Sequence, residues 1–365
     1  MRRRAKLFTV LVSGAILAAC QISASNGEPP QDSTDVLQSR FDALRPGDSL
    51  TLEPGIYRHS GVLKLRVPGV HIDGNNATLQ ATEDATSSVQ ILADDVTVTN
   101  LRLSAPPDGP RMHGIDQQKL VVSGHRDNLS RIAIFGSAAA GVFVDGAQDF
   151  TLSDISVTGT RADGVHMTNG AQHGVLTNIT TAQTGDDGVA VVSYYKDAAP
   201  CNDITVSGID VRGNKNGRGL TVVGGTNVTM RDFAVSDTDA AGVYVATEAA
   251  PYFTRPVDNV SFQNGTIARA NQATDIVHGA ILVVAANPGT TIQNVNMTGI
   301  AISGTGAGGQ RNVAVNNEGG TLSGINFTDI SLDNAALPAF ADGNVPPQSY
   351  RLDNWSVAGA PAGVS

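Results

Sequence analysis

A short motif limits the fold of this chain more than any other feature. A glycine followed by alternating apolar residues recurs at Gly141, Gly164, Gly188, Gly219, Gly242 and Gly279, with spacings of 23, 24, 31, 23 and 37 residues. Each unit, such as "DGVHMTNGAQHGVLTNITTAQTGD", carries a second alternating run, here "GVLTNITT". Alternation of period two is the signature of a strand with one face buried. A unit of about 23 residues holding only strands and turns cannot bury its own core, so it must stack on its neighbours. The pattern therefore predicts an all-β fold, a single-stranded parallel β-helix. Alternation turns Val142, Val144, Val165, Met167, Val189, Val191, Leu220, Val222, Val243 and Val245 inward. A β-sandwich of short strands would explain neither the period nor the repeated motif. The composition agrees, with 40 Gly among 365 residues and only 5% aromatics, a turn-rich balance that disfavours a helical bundle.

The ends of the chain read differently. Arg2, Arg3, Arg4 and Lys6 precede the apolar run "LFTVLVSGAIL" and then "LAAC", ending at Cys20. The run has signal-peptide length and is short for a membrane span. Residues 1–19 are expected to be a signal peptide, and residues 20–33, polar and rich in Pro, Gly and Ser, a flexible tether. "TDVLQSRFDAL" has apolar residues at helical spacing and opens the domain assigned to residues 34–365. It is expected to be a short N-terminal capping helix, because the end of a solenoid exposes core and strand edge. Cys201 is the other cysteine and is read as a shielded thiol. Removing four basic leader residues from 24 Lys and Arg leaves 20 against 34 Asp and Glu, a charge of −14 with His neutral. That balance argues against nucleic acid and against an anionic membrane surface as partners. A monomer is expected.

Two units exceed the period, and both carry their extra residues after the same strand, at "SYYKDAAPC" (193–201) and "TEAAPYFTRPVDN" (247–259). Inserts on one side of a solenoid are commonly the walls of its binding site. The residue before each anchor glycine forms a column reading Ala140, Asp163, Asp187, Arg218, Ala241 and His278. With coils about 4.8 Å apart, Asp163 and Asp187 become neighbours, and Asp186 shares their corner. Three crowded carboxylates should raise at least one pKa, the condition for a general acid near neutral pH. A second, outward-pointing column contains Phe143, His166, Ala190, Thr221 and Tyr244. Arg161, His166, Tyr194, Lys196, Arg218, Tyr244, Glu248 and His278 are the candidate substrate-binding residues. Tyrosines beside carboxylates suit sugar rings, which have apolar faces and many hydroxyls.

"RADGVHM", "GDDGVAVVS" and "GRGLTVVGG" resemble the successive motifs of the polygalacturonase-type glycoside hydrolases of family 28, Asn-Thr-Asp-Gly, Asp-Asp-Cys/Gly and Gly-His-Gly-Leu-Ser. The resemblance covers residues 140 to 250 best and implies a right-handed parallel β-helix, a pectin-lyase-like solenoid, that hydrolyses a polysaccharide with inversion. It implies that Asp163 and Asp186 activate water and that Asp187 donates the proton. Arg218 stands where that family has His, Arg161-Ala162 replaces Asn-Thr, and the family's Arg-Ile-Lys motif is not recognisable. A related hydrolase on a different glycan is therefore expected. In the usual inverting enzyme the acid and base lie roughly 6.5–9.5 Å apart. "LAAC" likewise resembles the lipobox of bacterial lipoproteins, which implies acylation of Cys20 and an exported, membrane-tethered, cell-envelope protein.

Taken singly, Asp-Asp-Gly and Ala-Asp-Gly are good turn sequences. Their alignment on consecutive coils beside Arg218, under two inserts, is what marks a site. No cofactor and no metal are expected for a hydrolase. Two other readings stay open: a calcium-dependent lyase on a uronate-containing glycan, with the ion on Asp163, Asp186 and Asp187, and a non-catalytic surface glycan-binding lipoprotein.

Overall fold

The computed structural model describes residues 31–333 and 336–362. The leader, Cys20 and most of the tether lie outside the described residues. The remainder, from Asp32 onward, is one compact unit.

The chain winds as a right-handed parallel β-helix, as the repeat and the family resemblance together predict. Its strands form an 11-stranded sheet of short strands and a 16-stranded sheet of long ones. In one coil, Val165–Thr168 lies in the first sheet and Gln172–Ala182 in the second. The long strand bends at Asn178, whose φ is 56°. That conformation is tolerated best by Asn, Asp and Gly, and the same bend holds Asp154 one coil earlier and Gly208 one coil later. The Asn178 amide donates to Asp154 Oδ1 at 3.0 Å, tying the corners together.

Register is parallel and unslipped: Val142 pairs with Val165, Val165 with Val189, Val189 with Leu220, and Leu220 with Val243. All ten residues expected to face inward are buried. The long strands add the stack Leu152, Leu176, Val206, Met230, Phe262, Met297 and Phe327. The anchor glycines exist because coils approach closely there. A Cβ on Gly188 would meet Gly219 O at 2.7 Å and Val211 Cγ1 at 2.6 Å, distances no side chain survives without backbone movement.

The capping helix spans Thr34–Asp42 and buries Leu37 and Phe41 in the end of the core. Cys201 is fully buried, and burial pushes its thiol up to about 11, so it is no nucleophile. Among the described residues, no helix is long and apolar enough to cross a membrane.

Candidate active site

The column before the anchor glycines is real. Gly141 N–H donates to Asp163 O at 3.0 Å, Gly164 N–H to Asp187 O at 2.8 Å, and Gly188 N–H to Arg218 O at 2.8 Å. The side chains continue the ladder. Asp163 Oδ1 accepts the N–H of Asp187 at 3.0 Å, and Asp187 Oδ1 accepts the N–H of Arg218 at 2.8 Å. Each aspartate thus caps the next coil with one oxygen and keeps the other for the site. Gln118 does the same one coil below, accepting from Ala140 N–H at 2.8 Å. The acidic ladder is therefore a corner device of this helix, with two carboxylates installed where an amide serves elsewhere.

Asp186 is placed by the loop around it. Thr184 Oγ1 and the Asn214 amide donate to its carbonyl at 2.7 and 3.0 Å. Gly217 packs on its backbone so closely that a Cβ would sit 2.1 Å from the Asp186 carbonyl carbon. One oxygen each of Asp163, Asp186 and Asp187 lie within 4.8 Å of one another. That is tighter than the 6.5–9.5 Å expected for the usual inverting pair, because all three carboxylates occupy one corner instead of facing each other across a sugar. Burial and the charges of Asp187 and Asp163 push Asp186 up to about 7, against the pull of Arg111. Burial also raises Asp187, opposed by Arg218.

Cations offset the cluster. Arg218 Nη1 lies 3.5 Å from Asp187 Oδ1, and its Nη2 donates to Glu248 at 3.1 Å. Arg111 Nη1 contacts Asp186 Oδ2 at 2.6 Å. Arg111 was not foreseen: it lies 75 residues away in a segment outside the repeat. His166 Nδ1 is hydrogen-bonded to Asp163 Oδ2, and its ring stacks on Phe143 at 5.2 Å. Both Phe143 and His166 line the cleft, with Tyr194, Lys196 and Tyr252 on the insert side.

The two inserts do share one side, and they pair with each other. Tyr194 forms an antiparallel bridge with Thr254, and Tyr195 N–H donates to Phe253 O at 2.9 Å. Arg255 locks them, donating to Tyr194 O at 2.9 Å and to Asp197 O. Lys196 Nζ rests 4.7 Å from the centre of the Tyr194 ring.

Three expected binding residues are corrected. Arg161 does not face the cleft. Its guanidinium is bound to Asp84 at 2.6 and 3.1 Å and to the carbonyls of Pro106, Asp108 and Pro110. It holds the loop that carries Arg111. Tyr244 is only 6% exposed, wedged between the Arg218 guanidinium at 4.2 Å and the His278 ring at 5.4 Å. Its outward direction is as expected, but neighbouring side chains cover it. His278 is not in the acidic column. Ile281, not Ala280, pairs with Val243, so Ala280 takes the anchor position, Gly279 the column position, and His278 stands one residue outside. Burial and then the charges of Arg218 and Arg311 press His278 down to about 4, so its ring is neutral near pH 7.

The model of the family described as right handed beta helix region matches residues 140–319. A comparison with curated proteins returns no match. Similar solved structures include the catalytic unit of a thermostable GH87 α-1,3-glucanase from Streptomyces thermodiastaticus, 18% identical, with a TM-score of 0.62 over 93% of this chain and 70% of that one. A GH87 α-1,3-glucanase catalytic domain in complex with nigerose is 16% identical, with a TM-score of 0.60 over 90% of this chain and 70% of that one. The mannuronan C-5 epimerase A-module of Azotobacter vinelandii is 14% identical, with a TM-score of 0.52 over 88% of this chain and 93% of that one. At these identities the likeness establishes the fold, a right-handed parallel β-helix. Three further similar structures of a GH87 α-1,3-glucanase catalytic domain each carry alanine for one aspartate, the second position 23 residues after the first and the third directly after it.

Proposed function

We propose that this chain is a glycoside hydrolase that cleaves an extracellular or cell-envelope polysaccharide by carboxylate acid/base catalysis. The observation that carries the reading is the cluster of Asp163, Asp186 and Asp187 at one end of a tyrosine-walled cleft, within 4.8 Å of one another. Their spacing, 23 residues and then one, is that of the three aspartates replaced in the glucanase structures.

The chemistry divides by environment. A glycosidase needs one protonated carboxyl at the leaving oxygen and one ionised carboxylate for the water or the sugar carbon. Asp186, raised to about 7, retains its proton in mildly acidic solution. It is also the more open of the adjacent pair, 23% exposed against 7% for Asp187. Burial raises Asp187 too, but Arg218 opposes it with its charge and its backbone N–H, and Asp163 accepts from Asp187 N–H and bonds His166, so these two suit the water-holding role. This assigns the proton to Asp186, where the family resemblance assigned it to Asp187. Inversion, which the family resemblance implies, is read directly by proton NMR of the first-formed anomer.

A neutral glycan fits better than a polyuronate. Arg111 and Arg218 already face carboxylates, which leaves Lys196 as the cation of the cleft lining without an ion pair among the described residues. The cleavage products decide the reaction class. Soluble polysaccharides are digested and the products weighed, since hydrolysis adds water and elimination does not. The calcium-dependent lyase is the second reading, favoured by three carboxylate oxygens at a spacing that suits one cation. It requires unsaturated products and inhibition by a chelator. Binding without turnover, unaffected by loss of the aspartates, would establish the glycan binder instead.

The pH profile carries its own expectation. The acid is active while protonated, so kcat is expected to fall as pH rises through about 7. A kcat that rises through that value would make Asp186 the base. The export and acylation of Cys20 complete the proposal, placing the enzyme at the cell envelope on a lipid anchor. Release from membranes by Cys20→Ser tests it.

A further inference from the structure

The cleft is unequal on the two sides of the acids. Towards the N-terminal coils it opens to about 570 Å³, floored by Phe143 and His166 and reaching Asp145 and the exposed Asn169. Beyond Asp163 it narrows to about 170 Å³, bounded by Asp186, Asp187, Arg218 and Glu248. The first volume falls in the usual range for a ligand site, roughly 300–1,000 Å³, and the second has room for about one sugar ring.

Among the described residues, the lining of the small chamber ends at Arg218, Val223 and Glu248 on this side. Tyr244 is wedged behind Arg218, and the next outward positions, Leu282, Val284 and Ala314, are buried. Glu248 stands at this closed end. Its Oε1 accepts from Arg218 Nη2 at 3.1 Å and from Tyr244 Oη at 3.2 Å. Both contacts fall on one oxygen and fix the carboxylate, leaving Oε2 for a ligand in the chamber. A half-buried, oriented carboxylate is a strong acceptor for sugar hydroxyls.

We propose that the enzyme acts on chain ends, and that Glu248 reads the hydroxyls of the terminal sugar in the closed chamber. This rests on the hydrolase reading of the same site. A polymer enters from the wide side, its last sugar fills the chamber, and the bond beside that sugar lies over the aspartates. An internal segment would have to continue over Arg218 and Glu248, where no described residue extends the lining.

The test uses the full protein and size-defined oligosaccharides of α-1,3-glucan, galacturonan and mannuronan. The expected time course shows one small product from the first turnovers, released from one end of a reducing-end-labelled chain. In Glu248→Gln, KM is expected to rise about tenfold or more while kcat stays within about twofold, the mark of a lost binding contact. An early ladder of intermediate lengths would overturn the chain-end proposal and leave the hydrolase reading standing. Unsaturated products, or glycan binding without turnover that survives loss of the aspartates, would remove both. A single small product with unchanged KM in Glu248→Gln would overturn the role of Glu248.

Discussion

Asp186→Asn is expected to lower kcat for glycan cleavage by about 10²–10⁴-fold, the usual contribution of a general acid, in a protein that remains folded. The reason is in its surroundings. Asp186 is pressed up to about 7 by burial, by Asp187 and by Asp163, so the fold pays to ionise it. A carboxylate raised above its unfolded value binds its proton more tightly in the folded state. Stability is therefore greatest below about pH 4 for this group and declines as pH rises towards 7. The amide of Asn carries no charge, so the variant is expected to melt no lower than the wild type at pH 7. Catalytic loss without loss of melting temperature is the combined signature. Activity retained within tenfold would remove Asp186 from the reaction, and Asp187→Asn, assayed beside it, would show whether the neighbouring carboxylate is the acid.

Arg161→Ala should produce the second large effect, by a different route. The guanidinium is nearly buried and gathers Asp84 and three carbonyls of residues 106–110. Removing one partner of such a pair leaves Asp84 and the carbonyls unpaired, at a cost on the order of 3 kcal/mol. The loop should bear most of that cost, because Ala162, Asp163 and Gly164 are held in the coil by backbone hydrogen bonds of their own. Proteolytic cleavage within residues 105–112 should accelerate. The salt link from Arg111 to Asp186 should loosen, moving the falling limb of the pH profile upward, since that link favours the ionised carboxylate. A variant with unchanged proteolysis and an unchanged pH profile would show that Arg161 does not position the site.

How the site could be anticipated follows from the geometry of a solenoid. In a parallel, in-register helix, residues one period apart in sequence are one coil apart in space. Reading Asp163, Asp187 and Arg218 as a column was a matter of aligning glycines, because hydrogen bonds between coils hold that register from 142 to 246. The same alignment misled at His278, where Ala280 replaces the anchor glycine and shifts the register by one. Arg111 left no periodic trace. It comes from the connection between the strands Thr97–Ser104 and Leu120–Val122, which holds one short 3₁₀ turn, Ile115–Gln117, and its link to Asp186 spans 75 residues.

The sequence by itself determined the period, the inward faces, the acidic corner and the side on which the inserts emerge. Those depend on backbone register and alternation, both of which are local and repeated. Only the tertiary structure decided where the long side chains end. Arg161 and Tyr244 start at the expected positions, yet one is drawn to Asp84 and the other is sealed between Arg218 and His278. The reach of an arginine exceeds the spacing between coils, so its partner is chosen by the charges and carbonyls that non-repeating loops bring near it. The closed end of the cleft has the same origin, built by Glu248 and its partners from separate coils.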